Sequence, residues 1–114
     1  MMKYSLDING RVYENFTEEY LRSSLVAMLD TEPGEDNFLI MDPSEAIQNS
    51  IYIQTRYENG VFDIETRVVH ADDSFTHYLY KTSSLEETTK IFTEYYLYQK
   101  LPNITDWQDV TDTM

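Results

Sequence analysis

The chain has 114 residues, of which eight are Lys or Arg and 21 are Asp or Glu, so its formal net charge is −13. Its contents of apolar residues, 41%, and of aromatic residues, 14%, are too high for a disordered acidic chain and favour a folded domain. The negative charge opposes nucleic-acid phosphates and anionic lipid headgroups, which excludes non-specific binding to either. Without cysteine the chain has no disulfide and no thiolate ligand for zinc.

Length and apolar pattern predict one soluble domain. A chain of this size buries about two-thirds of its surface in a single core, so we expect one domain over residues 1–114. No stretch approaches the roughly 18 apolar residues of a membrane-spanning helix, and the first residues do not resemble a secretion signal, so we expect a cytoplasmic protein. The tail 103–114 contains Trp107, and we expect it to be loosely packed unless the indole is buried.

The first part of the chain predicts a hairpin followed by a helix. Asn9-Gly10 provides the positive φ angles of a tight turn in a hairpin over residues 3–14. Asn15 or Thr17 caps the helix, which ends at Pro33-Gly34. The apolar face of this helix is expected to contain Leu21, Leu25, Met28 and Leu29.

A second hairpin is predicted in the middle of the chain. Residues 51–57 and 62–69 flank a turn that contains Asn59-Gly60, the strongest short-range hairpin signal, and its two-residue loop fixes the register. The pairs expected on the core side are Ile51–Val68, Ile53–Thr66, Thr55–Ile64 and Tyr57–Phe62. Those expected on the other side are Tyr52–Arg67, Gln54–Glu65 and Arg56–Asp63.

Residues 75–80 predict a further strand of the same sheet. A two-residue turn at Asp72-Asp73 would connect it to the central hairpin. In that register Thr66 lies opposite Leu79 and Arg67 lies opposite Tyr78, so Tyr78 and Tyr80 are expected to point away from the core.

The remaining elements complete the predicted fold. Residues 38–41 are an apolar run of strand length, and Ser84-Leu85-Glu86-Glu87 is typical of a capping box that opens a last helix ending before Pro102. The element order is therefore β-hairpin, α, β, β, β, β, α. It predicts an α+β protein in which an antiparallel sheet of five or six strands carries two helices on one face.

The stretch between residues 30 and 50 is strongly acidic and contains no Lys or Arg. Its carboxylates are Asp30, Glu32, Glu35, Asp36, Asp42 and Glu45. One interpretation is that these residues lie in solvated loops beside a strand and serve solubility. The other is that they form a docking surface for a basic protein, and the sequence leaves both open.

The outward face of the predicted sheet is a second candidate surface. By parity it holds Tyr52, Gln54, Arg56, Glu65, Arg67, Tyr78 and Tyr80. Tyr and Arg are enriched in binding hot spots, and on this ground Tyr52, Arg56, Arg67, Tyr78 and Tyr80 join the acidic residues as predicted partner contacts. A solvated sheet face with cross-strand ion pairs explains the same residues without a partner.

The two histidines are the remaining candidate ligands. The predicted register places His70 and His77 close together on the core side, with Asp72 at the neighbouring turn. Two imidazoles and one carboxylate suit zinc, but a defined site generally needs a further ligand. We therefore predict no metal site, and keep a pocket near these histidines as an alternative.

Motifs of catalysis are not found in the sequence. Asp72-Asp73 fits a turn and Glu86-Glu87 fits a helix N-terminus, so neither pair indicates acid–base chemistry. The chain has no nucleophile elbow, glycine-rich phosphate loop or zinc-binding helix motif. We predict a protein that is not an enzyme, with no catalytic residue and no cofactor.

The order of features from residue 37 to residue 110 supports a more specific hypothesis. These features are the strand 37–41, the segments 51–54 and 62–67, His77-Tyr78, the Ser84 helix with Tyr95-Tyr96, and Trp107. Together they resemble small cytoplasmic immunity proteins of bacterial polymorphic-toxin systems. This resemblance implies a non-enzymatic inhibitor that sequesters a cognate toxin, often a basic one, by protein–protein contact.

Two functional hypotheses follow. The first is an acidic immunity-type protein whose partner is a basic toxin, present as a monomer or, through free sheet edges, as a homodimer. The alternative is a small-ligand or metal-binding domain with a pocket between sheet and helices near His70 and His77.

Overall fold

The structure, a computed structural model, describes residues 2–30 and 37–113. Over these residues it confirms the predicted α+β class, with an antiparallel sheet and two α-helices. The strands are β1 (Tyr4–Ile8), β2 (Arg11–Tyr13), β3 (Phe38–Pro43), β4 (Ser50–Glu58), β5 (Val61–Val69), β6 (Phe75–Thr82) and β7 (Gln108–Asp109). The helices are α1 (Glu18–Ala27) and α2 (Leu85–Tyr98), with short 3-10 helices at Met28–Asp30 and Thr111–Thr113.

In the described part of the chain the sheet has seven strands, in the order β2-β1-β3-β4-β5-β6-β7. Neighbouring strands are antiparallel throughout. The six expected strands are present, and β7 is an addition from the C-terminal tail that the sequence pattern did not predict. Both edges of the sheet are short, because β2 has three residues and β7 has two.

Both Asn-Gly turns have the predicted backbone conformation. The φ angles are 53° and 94° at Asn9 and Gly10, and 54° and 80° at Asn59 and Gly60. Positive φ at both central residues is the requirement of a type I′ turn. The predicted register of the central hairpin is confirmed from Tyr52–Arg67 through Tyr57–Phe62.

A β-bulge at Ile51 makes one predicted pair wrong. Ser50, rather than Ile51, lies opposite Val68, and Ile51 is 38% exposed. The bulge places the Ser50 hydroxyl in the core, where its Oγ lies 2.7 Å from Thr66 Oγ1 and 2.9 Å from the Tyr95 hydroxyl. Because buried hydroxyls require partners, this hydrogen-bonded trio accounts for the irregularity in β4.

Both helices cover the same face of the sheet. The core between them and the strands consists of Leu6, Leu21, Leu25, Met28, Leu39, Met41, Ile47, Ile53, Phe62, Ile64, Phe92 and Tyr95. Among the described residues no α-helix covers the opposite face. We call that opposite side the open face.

Helix α1 begins as predicted and ends differently. Thr17 Oγ1 accepts a hydrogen bond from Tyr20 N at 3.0 Å and caps the helix. Leu29, expected on the buried face, is 40% exposed. The chain tightens into a 3-10 helix at Met28, and the smaller number of residues per turn moves Leu29 off the apolar face. Pro33-Gly34, the predicted end of this helix, lies outside the described residues.

Helix α2 has half of the predicted capping box. Ser84 Oγ accepts a hydrogen bond from Glu87 N at 3.0 Å, as expected. The reciprocal bond is replaced, because Ser84 N donates to Thr82 Oγ1 and the Glu87 carboxylate accepts from the Tyr80 hydroxyl. The helix ends at Tyr98, before Pro102, as the sequence predicts.

Candidate functional site

The open face carries the β4 and β5 residues that were predicted to point outward. Cross-strand neighbours on this face are Tyr52 and Arg67, Gln54 and Glu65, and Arg56 and Asp63. They alternate with buried residues such as Ile53 and Ile64, whose side chains point toward the helices. The predicted positions of Tyr52, Arg56 and Arg67 on one face are thus confirmed.

The predicted register between β5 and β6 is wrong by one residue. Tyr78 lies opposite Thr66, and His77 lies opposite Arg67. The connection is longer than the expected two-residue turn, since His70 N donates to the Ser74 carbonyl at 2.8 Å. Asp73, with a φ of 68°, supplies the left-handed residue that closes this three-residue loop. A shift of one residue moves every side chain of β6 to the other face.

Tyr78 and Tyr80 are therefore not part of the open face. Tyr80 lies opposite Ile64 on the helix side, and its hydroxyl donates to Glu87 Oε2 at 2.9 Å. Tyr78 shares the side of its neighbour Thr66, which is fully buried. Both tyrosines were predicted as partner contacts on the same face as Tyr52, and their placement on that face is wrong because the loop is longer than expected.

His77 takes their place on the open face and is only 1% exposed. Its Nε2 lies 3.1 Å from Glu65 Oε1 and its Nδ1 lies 3.2 Å from the Tyr52 hydroxyl. A carboxylate only accepts, so the Nε2 atom of His77 carries a proton and donates it to Glu65. Gln54 Nε2 donates to the other oxygen of Glu65 at 2.8 Å. This hydrogen-bond chain fixes the side chains of Tyr52 and Glu65.

Arg67 lies beside two aromatic rings of the open face. Its guanidinium carbon is 4.1 Å from the centre of the Phe75 ring and 5.8 Å from the centre of the Tyr52 ring. Both distances are within the range of a cation–π attraction. Burial raises the pKa of Tyr52, while the nearby Arg67 charge opposes that rise, so the Tyr52 phenol is neutral at neutral pH.

The C-terminal tail pairs with β6 at His77, a contact that the sequence did not predict. Val110 N donates to the His77 carbonyl at 2.8 Å, and His77 N donates to Thr111 Oγ1 at 2.9 Å. Val110, an apolar residue of the tail, is only 9% exposed. The described tail is therefore hydrogen-bonded to the main chain of β6, and Trp107 also stacks on Tyr80 at the helix side.

A shallow apolar depression lies next to these residues. Phe38 and Ile40 of β3 are the neighbours of Arg56 and Gln54 across the β3–β4 ladder. Together they line a cavity of about 180 Å³. This volume is below the range of about 300–1,000 Å³ typical of small-molecule sites, so the depression suits one inserted side chain.

The acidic residues of this stretch that the structure describes do not form one surface. Asp30 follows Met28, whose carbonyl accepts from Asn37 Nδ2 just before β3 begins. Asp42, whose carboxyl group is partly shielded from water, and the exposed Glu45 lie at the opposite end of β3. The predicted contacts Glu32, Glu35 and Asp36 lie outside the described residues.

The two histidines are not brought together as expected. His77 points to the open face, whereas the exposed His70 has its Nε2 2.7 Å from Oγ1 of Thr76, which points to the helix side. The described residues contain no group of three or more His, Cys, Asp or Glu side chains that could hold a metal ion. The expected core-side pair, on which the alternative ligand pocket depended, was a consequence of the incorrect β6 register.

The stability of the protein should depend on the protonation of Asp42. Partial burial, and then the charge of Asp7, raise the pKa of Asp42 above its ordinary 3.8. Above its pKa in the folded protein, the ionised Asp42 carboxylate therefore destabilises the folded state. This free-energy cost disappears as the pH falls to 3.8, the ordinary pKa of the group. Asp42→Asn is expected to raise the free energy of unfolding at pH 7 by less than about 1 kcal/mol, because solvent screens the charge.

Urea unfolding at pH 7 and near pH 3 measures this effect, with Glu45→Gln as a matched loss of one exposed charge. The gain from Asp42→Asn should be present at pH 7 and absent near pH 3. An equal gain at both values would contradict the assignment.

Comparisons of the chain with protein-family models, with curated proteins and with solved structures found no match. Among the described residues, neither α1 nor α2 is long and apolar enough to cross a membrane. Support for a function comes from the residues of the open face and from the charge of the chain.

Proposed function

We propose that this protein is a non-enzymatic, acidic binding protein that inhibits a cognate basic toxin by direct contact, in the manner of immunity proteins. The observation that carries the proposal is the open face, where Tyr52 and Arg67 are held in place beside an apolar depression on a protein of charge −13. The contact residues proposed on this face are Tyr52, Arg56 and Arg67.

Rigidity of the contact residues supports this proposal. Binding costs conformational entropy for each side chain that must be ordered, commonly about 0.5–1.5 kcal/mol. The hydroxyl of Tyr52 is already bound to His77, and the guanidinium of Arg67 already lies on Phe75. These two side chains therefore present aromatic area and directed hydrogen-bonding groups, and they lose little further conformational entropy on binding.

The charge of the chain supports a basic partner. Opposite net charges speed the encounter of two proteins by about ten- to a thousandfold at low ionic strength. Asp42 on the open face and the exposed Glu45 nearby add local negative charge at one end of β3. A basic protein would be attracted to this side of the sheet before close contact forms.

Growth rescue tests the proposed function directly. The genes beside the one that encodes this protein would be searched for a basic toxic domain, which would then be produced in a bacterial host with and without the protein. Protection of the host, together with a one-to-one complex on gel filtration, is the expected result. Failure to protect against the neighbouring toxic domain would falsify the proposal.

The salt dependence of association tests the role of charge. The association rate constant measured by stopped flow should fall about tenfold or more between low and high ionic strength, because salt screens exposed charges. A rate constant that does not change with salt would contradict electrostatic attraction to a basic partner.

A further inference from the structure

A second cavity lies on the helix side of the sheet, between β6, α2 and the chain that follows α2. It has a volume of about 400 Å³, within the range of sites that bind small groups. Tyr80 and Trp107 form an aromatic wall, and Ile91 adds apolar surface. We call this cavity the Trp107 pocket.

The aromatic wall is flat and fixed. The rings of Tyr80 and Trp107 are stacked, with centres 5.3 Å apart and planes inclined by 13°. The Tyr80 hydroxyl donates to Glu87 Oε2 at 2.9 Å, which ties the stack to α2. A flat, fixed indole suits a planar cation, which is attracted to the face of the ring.

The charges around the pocket favour a cation over an anion. Carboxylates of Glu87, Glu94 and Asp106 line it, against the ammonium groups of Lys90 and Lys100. Lys100 Nζ is 3.5 Å from Glu94 Oε1, so these two charges offset one another. The carboxylates of Glu87 and Asp106 then remain against the single ammonium group of Lys90.

We propose that the Trp107 pocket binds the guanidinium group of an arginine side chain presented by a basic protein partner. This inference rests on the proposed function and adds an anchor point on the second side of the sheet. The guanidinium would stack on the indole and donate paired hydrogen bonds to a carboxylate of the wall, a geometry that its planar fork allows.

Other occupants fit the same residues less well. A lysine ammonium is a compact point charge that cannot stack on the flat aromatic wall. An apolar side chain would remove water from the carboxylates of the wall without adding a cation or a hydrogen-bond donor. An anion would meet those carboxylates directly.

Fluorescence provides a direct test, because Trp107 is the only tryptophan of the chain. The intact protein would be titrated with N-acetyl-arginine amide, with the neutral citrulline analogue and with N-acetyl-glutamate amide. We expect a saturable change in emission with the arginine probe alone and a dissociation constant of the order of millimolar. A response to arginine that is not saturable up to about 100 mM, or an equal response to citrulline, overturns the proposal.

Variants separate the pocket from a non-specific effect on the indole. Asp106→Asn and Glu87→Gln each remove one carboxylate of the wall and should raise the dissociation constant of the arginine probe about fivefold or more. Glu19→Gln, which removes one exposed charge on α1, should leave it unchanged. Unchanged binding by both pocket variants, with folding checked by circular dichroism, would show that the carboxylates do not hold the probe.

The outcome is independent of the test of the proposed function. If the protein protects against the toxic domain but does not bind the arginine probe, the pocket inference alone fails. If the probe binds and the protein does not protect, the proposed function fails and the pocket remains a site for a guanidinium group.

Discussion

Replacing Arg67 by alanine is expected to weaken binding of the basic partner by about 2 kcal/mol, or roughly thirtyfold in Kd. Arg67 lies 4.1 Å from the centre of the Phe75 ring and beside Tyr52, so its removal takes away the planar cation that lies against these two rings. Loss of a positive charge would strengthen long-range attraction to a basic partner. A weaker complex would therefore reflect lost contact rather than charge, and calorimetry on the purified pair measures it.

Two further variants control this prediction. Arg67→Lys keeps the charge but loses the planar group, and should recover only part of the affinity. Arg22→Ala removes an arginine on α1, where it pairs with Glu18 at 2.7 Å far from the open face, and should leave the affinity unchanged. Equal losses for Arg67→Ala and Arg22→Ala would show that the open face is not the contact surface.

Replacing Tyr95 by alanine should have the largest effect on stability, a loss of about 3–5 kcal/mol in the free energy of unfolding. Tyr95 is fully buried between α2 and the sheet. Its hydroxyl lies 2.9 Å from Ser50 Oγ, and its carbonyl accepts from the Tyr4 hydroxyl at 3.0 Å. Denaturant unfolding followed by circular dichroism measures the change.

Tyr95→Phe separates packing from hydrogen bonding. The ring remains, and Ser50 keeps Thr66 Oγ1 as a partner at 2.7 Å, so the expected loss is about 1 kcal/mol. A loss as large as that of Tyr95→Ala would show that the hydroxyl trio, rather than the packed ring, dominates at this position.

The same residue should make the protein sensitive to high pH. Burial raises the pKa of Tyr95 above its ordinary 10.0. The unfolded chain thus loses this proton first, and the stability present below pH 10 falls as pH rises beyond it. The difference in stability between the wild-type protein and Tyr95→Phe should shrink above pH 10. A constant difference would contradict burial of the phenol.

The central hairpin shows what local sequence can determine. Asn59-Gly60 selects one turn type, and the alternation of apolar and polar residues in β4 and β5 agrees with the register of that turn. The pairs of Tyr52, Gln54 and Arg56 followed from these two signals alone. The bulge at Ile51 was not predicted, because it depends on Tyr95, which lies far away in sequence.

Strand β6 shows where local sequence is insufficient. Its alternate residues, Thr76 and Tyr78 on one side and His77 and Leu79 on the other, are nearly balanced in polarity, so the pattern does not choose between two registers. The choice is made by the loop, in which Asp72 Oδ1 accepts from Ser74 N at 3.1 Å and Asp73 adopts positive φ. An aspartate at position 73 indicates a positive φ angle less clearly than a glycine would.

The positions of some residues of the candidate site could not be predicted, because they depend on contacts between segments that are distant in sequence. The main chain of His77 is hydrogen-bonded to Val110 and Thr111, which lie more than 30 positions later in the chain. Trp107 was recognised as a residue that could fix the tail, but its stacking partner Tyr80 was expected on the opposite face. Single-sequence patterns carry no information on such pairings, because they report the period of one segment at a time.

The connections of the sheet have a consequence for the order of folding. β4, β5 and β6 are joined by tight turns, and hairpins of this kind form within about 1–10 μs. The hydrogen bond from Tyr4 to Tyr95, in contrast, joins residues 91 positions apart. Closing so long a loop costs entropy that only the completed core repays, so the N-terminal hairpin and α2 should dock last. Variants at Tyr95 are then expected to unfold faster while folding at an almost unchanged rate.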